Sequence, residues 1–383
     1  MATGPGDVPL KAARSRLASE FVTISISLLA APGDPRTDWI YWTFQASCYK
    51  LLRSCAPANP ETGMCPVPGT LRRQLHPMTP RPLLLIAGPT GSGKTALAMR
   101  LARSLRGEIV SADSMQIYRG CDIGTAKPSI EEQRQVRHHL IDIREPVERY
   151  SAAEFAADAN QSIREIRERG GTPIVCGGTG FYIRALLDPE SLAAAPPDAA
   201  LREQLESDLL AQGAQCLWER LAGLAPDAAA RVHPNDSYRL VRALEIALST
   251  SPAALVQGPG NTTRHIPIAF CLDWPRESLY RRLDERVEAM FAGGFLEELG
   301  RLKREFGATA HALGAVGYRQ MLPVTEDASR LVECIELWKR ETRRYAKRQV
   351  TWFRHQLAAT HLDGEAGPEA LAAQIAAQWH DAQ

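Results

Sequence analysis

Eight consecutive residues, Gly88, Pro89, Thr90, Gly91, Ser92, Gly93, Lys94 and Thr95, fit the pattern Gly-x4-Gly-Lys-[Ser/Thr] at every fixed position. They follow the apolar run Leu83–Ala87 and open an amphipathic stretch, so the pattern stands where a strand turns into a helix. Glycines at 88, 91 and 93 let the backbone wrap a phosphate with its N–H groups. The helix N-terminus adds its positive end, Lys94 a point charge, and Thr95 a hydroxyl that can hold Mg2+. Such a loop binds a diphosphate or triphosphate without saying which molecule carries it. The Asn-Lys-x-Asp base-reading motif of a GTPase is missing. The acidic strand end of a motor or transporter ATPase is matched only weakly, by Leu140-Ile141-Asp142. Small-molecule kinases and transferases remain.

A second group begins where the strand Glu108–Ser111 leads into Asp113, Ser114, Met115 and Gln116. An Asp at the carboxyl end of the strand beside a P-loop strand lies on the ligand rim of a doubly wound sheet, where it can touch a substrate; a turn or helix-cap role is the alternative. A third group is a charge cluster. Residues 339–354 hold seven Lys/Arg and one acid, Glu341, in a chain whose net charge is only +1. At roughly 100° per residue, Arg340, Arg343, Arg344, Lys347, Arg348 and Arg354 share one arc, with Ile335, Trp338, Tyr345, Trp352 and Phe353 opposite. A solvated face normally interleaves acids, so this stripe reads as a phosphate-binding face on a helix anchored by aromatics.

These segments, with Asp122–Pro128, Gly177-Gly178-Thr179, His233–Asp236, Val316–Gln320 and Lys347–Arg354, stand in the order of the tRNA dimethylallyltransferases. The chain resembles that family from about Leu83 to Arg354. The resemblance implies transfer of a dimethylallyl group from dimethylallyl diphosphate to N6 of the adenosine 3′ of the tRNA anticodon (adenosine 37), in tRNAs reading codons that begin with U. It makes Asp113 the catalytic carboxylate, with Thr95 and Arg286 beside the diphosphate and Mg2+ as the cofactor. It also implies tRNA contacts by Asp113–Gln116, Thr179, Arg202, the stretch Tyr238, Arg239, Leu240, Val241 and Arg242, and the loop Gly314, Ala315, Val316, Gly317, Tyr318 and Arg319. The last such stretch is Lys347, Arg348, Gln349, Val350, Thr351, Trp352, Phe353 and Arg354. The chemistry agrees with the residues. An adenine amino group is a poor nucleophile, so proton removal and placement both help, and the leaving diphosphate needs its charge stabilised. The P-loop then holds pyrophosphate rather than ATP. A prenyltransferase acting on free adenine nucleotides, a P-loop kinase and a non-catalytic RNA-binding protein are the competing readings.

The elements that must position these groups follow from hydrophobic pattern. Short apolar runs (Leu83–Ala87, Glu108–Ser111, Pro173–Cys176, Pro267–Leu272) alternate with helical stretches (Lys94–Leu105, Ala152–Arg169), which predicts α/β: a P-loop NTPase-like parallel sheet core. From about 196 to 257 the pattern is helical (Leu201–Ala211, Cys216–Leu224, Asp227–Val232, Ser237–Leu248), predicting a helical insertion domain, which by the family resemblance would grip the tRNA anticodon stem-loop. C-terminal helices are expected over Glu277–Phe306 and Ala328–Leu357, so that the core runs 78–195 and resumes over 258–383. Residues 1–77 lack sustained periodicity and read as an N-terminal extension ahead of Met78, disordered or not part of the fold; their run Phe21–Ala31 only loosely mimics a secretory signal. Balanced charge (Lys+Arg 45, Asp+Glu 44) and 45% apolar content exclude a disordered or fibrous chain. Eight scattered cysteines without a CxxC pair read as thiols, and no run reaches membrane-span length. A cytoplasmic monomer with no membrane partner is expected.

Overall fold

The computed structural model describes residues 82–188, 198–249 and 265–381. The expectations for residues 1–77, for Met78 as a start and for the break at 257–263 lie outside the described residues. The elements, in chain order, are β1 (Pro82–Ala87), α1 (Lys94–Ser104), β2 (Gly107–Ser111), α2 (Ile130–Gln135), β3 (His138–His139), α3 (Ala152–Glu168), β4 (Thr172–Gly177) and α4 (Gly180–Leu187). They continue with α5 (Ala199–Leu224), α6 (Ser237–Ser249), β5 (Ile266–Asp273), α7 (Arg276–Ala292), α8 (Phe295–Phe306), α9 (Leu331–Gln356), β6 (Thr360–Asp363) and α10 (Pro368–Asp381). The sheet has the order β3-β2-β4-β1-β5-β6, and every pairing is parallel.

The apolar run of β1 continues on both faces because helices cover both faces. Leu83, Leu85 and Ala87 point to a layer built from α3, α4, α8 and α9, including Phe155, Ile163, Tyr182, Phe295, Trp338 and Phe353. Leu84 and Ile86 point the other way, to Leu97 and Leu101 of α1 and to Leu371, Ile375 and Trp379 of α10. The four central side chains of β1, Leu83–Ile86, are at most 1% exposed. At roughly 1.5–3 kcal/mol per buried aliphatic side chain, this strand is the most firmly held element beneath the P-loop. Capping boxes fix two helix starts: Ser129 with Glu132 for α2, and Ser151 with Glu154 for α3.

The chain leaves β1 toward β2 on one side and later reaches β5 on the other, so the strand order reverses at β1 and opens a crevice at the carboxyl ends of the strands. Three loops from adjacent strands meet there, after β1, β2 and β4. Their closeness demands glycine at 177, where an added Cβ would lie 2.1 Å from the Ala112 carbonyl oxygen. The helices α5 and α6 form a separate hydrophobic cluster with Leu205, Leu217, Leu221, Leu240 and Leu244 at its centre.

Two expectations need correction, and a third holds. The run read as one helix over Glu277–Phe306 is broken into α7 and α8, since Gly294 adopts a φ of 97° that continues no helix. The two helices expected over Leu201–Ala211 and Cys216–Leu224 are both present within α5, separated at Gly213, whose φ of 83° and ψ of 164° continue no helix. β6 and α10 follow the basic helix where no element was expected, since β6 has only four residues and the alanine-rich α10 has little apolar periodicity; α10 packs on α1 and so braces the P-loop helix.

Candidate active site

The P-loop runs from Gly88 at the end of β1 to the first residue of α1. Gly91 and Gly93 adopt φ of 77° and 88°, and a Cβ on Gly91 would lie 2.7 Å from the Leu283 side chain. Only glycine meets both demands at that position. Three side chains brace the loop from outside. Arg282 donates from Nε to Gly91 O (3.1 Å) and stacks over Trp274, whose Nε1 donates to Ser92 O (3.0 Å). Gln349 on α9 accepts from Thr90 N (2.9 Å) and donates to Gly178 O (2.8 Å), tying the loop to the turn after β4. Ser92 is 2% exposed, and its hydroxyl is left with no partner among the described residues.

Lys94, Thr95, Asp113 and Arg286 line one half-open cleft with Thr90, Ser111, Gln116, Thr125, His138 and Cys176. It encloses about 480 Å3 of atom-free space, counting its mouth. Burial lowers the Lys94 ammonium from its ordinary pKa, with Cys176 and Asp113 opposing. Burial likewise lowers the Arg286 guanidinium, and Asp113 opposes that too. The Cys176 thiol is pushed up to about 12 by burial, so it is a packing thiol here. Two largely buried cations therefore face one carboxylate. An arrangement with surplus positive charge in a desolvated cleft is suited to an anion, and a P-loop aims its N–H groups at a phosphate. Asp113 Oδ1 accepts from Met115 N (2.9 Å), a turn bond that holds the carboxylate on the rim. Thr179 accepts from Ser114 N (3.0 Å) and so joins the loops after β2 and β4. The donor set fits Mg2+, a hard cation that takes oxygen ligands: the Thr95 hydroxyl lines the cleft with the Asp113 carboxylate.

The IPP transferase family matches residues 116–356. A tRNA dimethylallyltransferase of Trichlorobacter lovleyi is 46% identical over 286 residues, covering 73% of this chain and 93% of that protein. The crystal structure of the tRNA isopentenylpyrophosphate transferase from Bacillus halodurans is 37% identical, with a TM-score of 0.57 over 78% of this chain and 97% of that one. A eukaryotic dimethylallyltransferase acting on tRNA matches with a TM-score of 0.62 at 29% identity, covering 74% of each chain. The chain belongs to the IPP transferase family. As a member of this family of tRNA dimethylallyltransferases, it is an enzyme, a prenyltransferase on a P-loop-like α/β fold.

Not every residue expected at the RNA surface of this IPP transferase family member is available there. Leu240 and Val241 are buried in the cluster between α5 and α6. Arg202 and Arg242 both pair with Glu245, which is fully buried. Burial would raise the Glu245 carboxyl, but the bonds from Arg242 and Arg202 override it and hold it below the ordinary carboxylate value. Tyr238, 78% exposed, and Arg239 remain at the surface of α6. In the segment before α9, Tyr318 opens a short helical turn, Tyr318–Met321, is buried and donates to Glu298 (2.6 Å), and Gly317 is packed against Trp338. Ala315 and Val316 are partly buried, while Gly314 and Arg319 are exposed.

The basic stripe divides. Arg343 makes a two-oxygen ion pair with Asp284 (2.6 and 2.7 Å), and Lys339 pairs with Glu288 (2.8 Å), both acids belonging to α7. Arg344 pairs with Glu341. The acids missing from the helix's own sequence are supplied by its neighbour, so those cations are partly spent inside the protein. Lys347, Arg348 and Arg354 are exposed and form no ion pair with any described residue; Arg348 lies over the Tyr345 ring. Gln349 and Phe353 are buried, Val350 and Trp352 partly so, with Trp352 against Gly180 and Thr351 at the surface. Asp142, the weak candidate for an ATPase-type acid, is bound to Lys127 (2.5 Å), as is Asp122 (2.7 Å).

Sequence reasoning missed Glu298. This buried carboxylate accepts from the backbone of Asp122 (2.9 Å), Ile123 (2.7 Å) and Gly124 (3.0 Å) and shapes the loop that reaches the cleft at Thr125. A weak signal was present: Asp122–Pro128 has one large apolar anchor, Ile123, so most of its backbone needs a polar partner elsewhere. Arg282 and Trp274 were missed because contacts across about 190 residues leave no local trace. The described cysteines are free thiols, as expected. Cys271, Asp273 and His361 meet across β5 and β6, a grouping that spacing cannot reveal. Among the described residues, no helix is long and apolar enough to cross a membrane.

Proposed function

We propose that this chain transfers a dimethylallyl group from dimethylallyl diphosphate to N6 of adenosine 37, next to the tRNA anticodon, giving N6-isopentenyladenosine in tRNAs that read codons beginning with U. The observation that carries the reading is the convergence of Lys94, Arg286 and Asp113 in one desolvated cleft over a P-loop. The P-loop N–H groups, Lys94 and Arg286 would hold the diphosphate and stabilise the charge that grows as the allylic C–O bond breaks. Asp113, on the rim, would take the proton from the adenine amine as the new C–N bond forms. Thr95 would hold Mg2+, which supplies further charge neutralisation to the leaving diphosphate. The turn joined by Thr179 and Ser114 would flank the adenine once it has left its stack. Lys347, Arg348 and Arg354, with Tyr238, Arg239 and Arg319, offer the surface for the anticodon stem-loop. The protein would act in the cytoplasm as a monomer.

The test is to incubate the protein with Mg2+ and dimethylallyl diphosphate together with unmodified tRNA, free AMP or ATP. Prenylated adenosine in tRNA alone is the expected product. Prenylated AMP would move the assignment to free nucleotides, and phosphoryl transfer from ATP would make it a kinase.

A further inference from the structure

His138 sits on the edge strand β3, paired in register with Ile109, and its ring reaches the cleft that holds Asp113, Lys94 and Arg286. Its Nδ1 lies 2.8 Å from the Val136 carbonyl oxygen. A carbonyl only accepts, so Nδ1 carries the hydrogen, and the neutral ring presents a lone pair at Nε2. Burial holds the His138 pKa below the ordinary value, with Val136 and Glu132 opposing, which keeps the ring neutral. That Nε2 is buried and has no partner among the described residues. An acceptor left without a donor inside a binding cleft calls for one from the ligand, because a buried unmet polar atom costs stability.

The neighbouring polar groups do not fill this role. Ser111 donates to Gln116 Oε1 (3.1 Å), and Gln116 donates to Ala126 O (3.3 Å), so both are engaged within the protein. Lys94 and Arg286 are donors suited to the diphosphate. Of the two reactants, ionised dimethylallyl diphosphate brings acceptors and an apolar chain but no N–H. The adenine brings an amine with two hydrogens. Asp113 can receive one of them, and the second needs an acceptor once water has left.

We propose that His138 Nε2 accepts a hydrogen bond from the exocyclic amine of the acceptor adenine, reading that amine and turning its lone pair toward the allylic carbon. This rests on the adenine N6 reading above. In the reaction His138 takes no proton: the amine loses one hydrogen to Asp113 as the C–N bond forms, and the other stays on nitrogen, held by His138. The same acceptor disfavours a purine with a carbonyl at that position, since two acceptors would face each other.

The experiment pairs protein variants with two anticodon stem-loop RNAs, one carrying adenosine at the acceptor position and one carrying purine riboside, which lacks the amine. Binding is measured with inorganic diphosphate and Mg2+ present, so that no chemistry occurs. Wild-type protein should bind the adenosine RNA more tightly through both amine contacts, to Asp113 and to His138, each worth up to about tenfold as one neutral hydrogen bond in a closed site. His138→Phe should lose about tenfold of that discrimination, keeping only the share that Asp113 carries, and His138→Gln, which retains an acceptor, should recover part of the loss. Diphosphate affinity and melting temperature should be unchanged. If His138→Phe does not fold, His138→Asn, whose shorter acceptor falls short of the cleft, provides the same comparison. Undiminished discrimination in a folded variant overturns the proposal, and so does a wild type that does not discriminate. An equal loss for both RNAs with weaker Mg2+ binding also overturns it, assigning Nε2 to a hydrated cation. If the wild type binds and prenylates no adenosine RNA at all, the proposed function fails instead, which is a separate result.

Discussion

The cleft over the P-loop and the helical region of α5 and α6 handle charge in opposite ways. In the cleft, Lys94 and Arg286 lose water and share only Asp113, while His138 Nε2 has no partner among the described residues. Between α5 and α6, Arg202 and Arg242 close on the buried Glu245, whose carboxylate also accepts from Asp198 N (2.8 Å). Arginine in an RNA-binding protein invites a functional reading wherever it occurs. The contrast shows that the useful sign is unmatched charge and orphaned polar atoms, since a matched cation is already in its final use.

The largest effect should follow from removing the one anion of the cleft. Asp113→Asn should lower kcat by about 10^2 to 10^4, some 3–5 kcal/mol of activation free energy, while tRNA affinity stays within a few-fold of wild type. Single-turnover rates and filter binding on the same preparations check it. A parallel fall in both would make Asp113 a fold-supporting turn residue and erase the contrast with Glu245.

Removing one cation should act next most strongly, and on a different quantity. Lys94→Ala should weaken diphosphate binding by about 10^2, the usual scale for a desolvated anion contact, with little change in melting temperature. Calorimetric titration with inorganic diphosphate and thermal melts measure both. A variant that lost stability but kept its diphosphate affinity would show the cleft to be as internally matched as the α5–α6 pair.

For the matched pair the loss should fall on stability. Glu245→Ala leaves two arginines partly buried and should cost about 3 kcal/mol in unfolding of the α5–α6 region, with prenyl transfer at low temperature retained. Because its folded pKa is lowered, Glu245 stabilises the fold at pH values above the ordinary carboxylate pKa. That contribution is lost as pH falls through the lowered value. The wild type should thus lose stability on acidification in a range where Glu245→Ala changes little. Melting curves across acidic pH decide it, and identical slopes would count against the role.

Sequence pattern revealed the parallel strands and the P-loop because both are local: apolar runs, glycine spacing and a following helix lie within a few residues of each other. The same holds for Asp113, which a strand ending at Ser111 carries to the rim. What stayed hidden depends on partners far along the chain. Helix periodicity placed Lys347 and Arg343 on one basic arc, but only packing of α9 on α7 shows that Asp284 has claimed Arg343. Gln349, read as an RNA contact from its place in a motif, turns out to lie between the P-loop and Gly178, a bridge spanning 259 and 171 residues. His138 carried no signal of its own, since a histidine becomes informative only when the bond at one nitrogen fixes what the other can do.

The smallest effect separates two cations of the same helix. Lys347 is exposed and carries no ion pair among the described residues, whereas the Arg343 side chain is 28% exposed and bound to both oxygens of Asp284. If Lys347 meets a tRNA phosphate, binding releases a counterion there, and Lys347→Ala should flatten the plot of log affinity against log salt by about 0.7–0.9. Its cost near physiological salt should be only a few-fold in affinity, with no change in melting temperature. Arg343→Ala should leave the salt slope as it is and lower stability by about 1 kcal/mol or more, since a two-oxygen pair in a partly buried site is worth more than an exposed one. tRNA titrations at several salt concentrations on both variants, read beside their melts, test the distinction. Equal flattening by the two would mean that Arg343 leaves Asp284 when RNA arrives, and an unchanged slope for both would mean that the arc faces solvent in the complex.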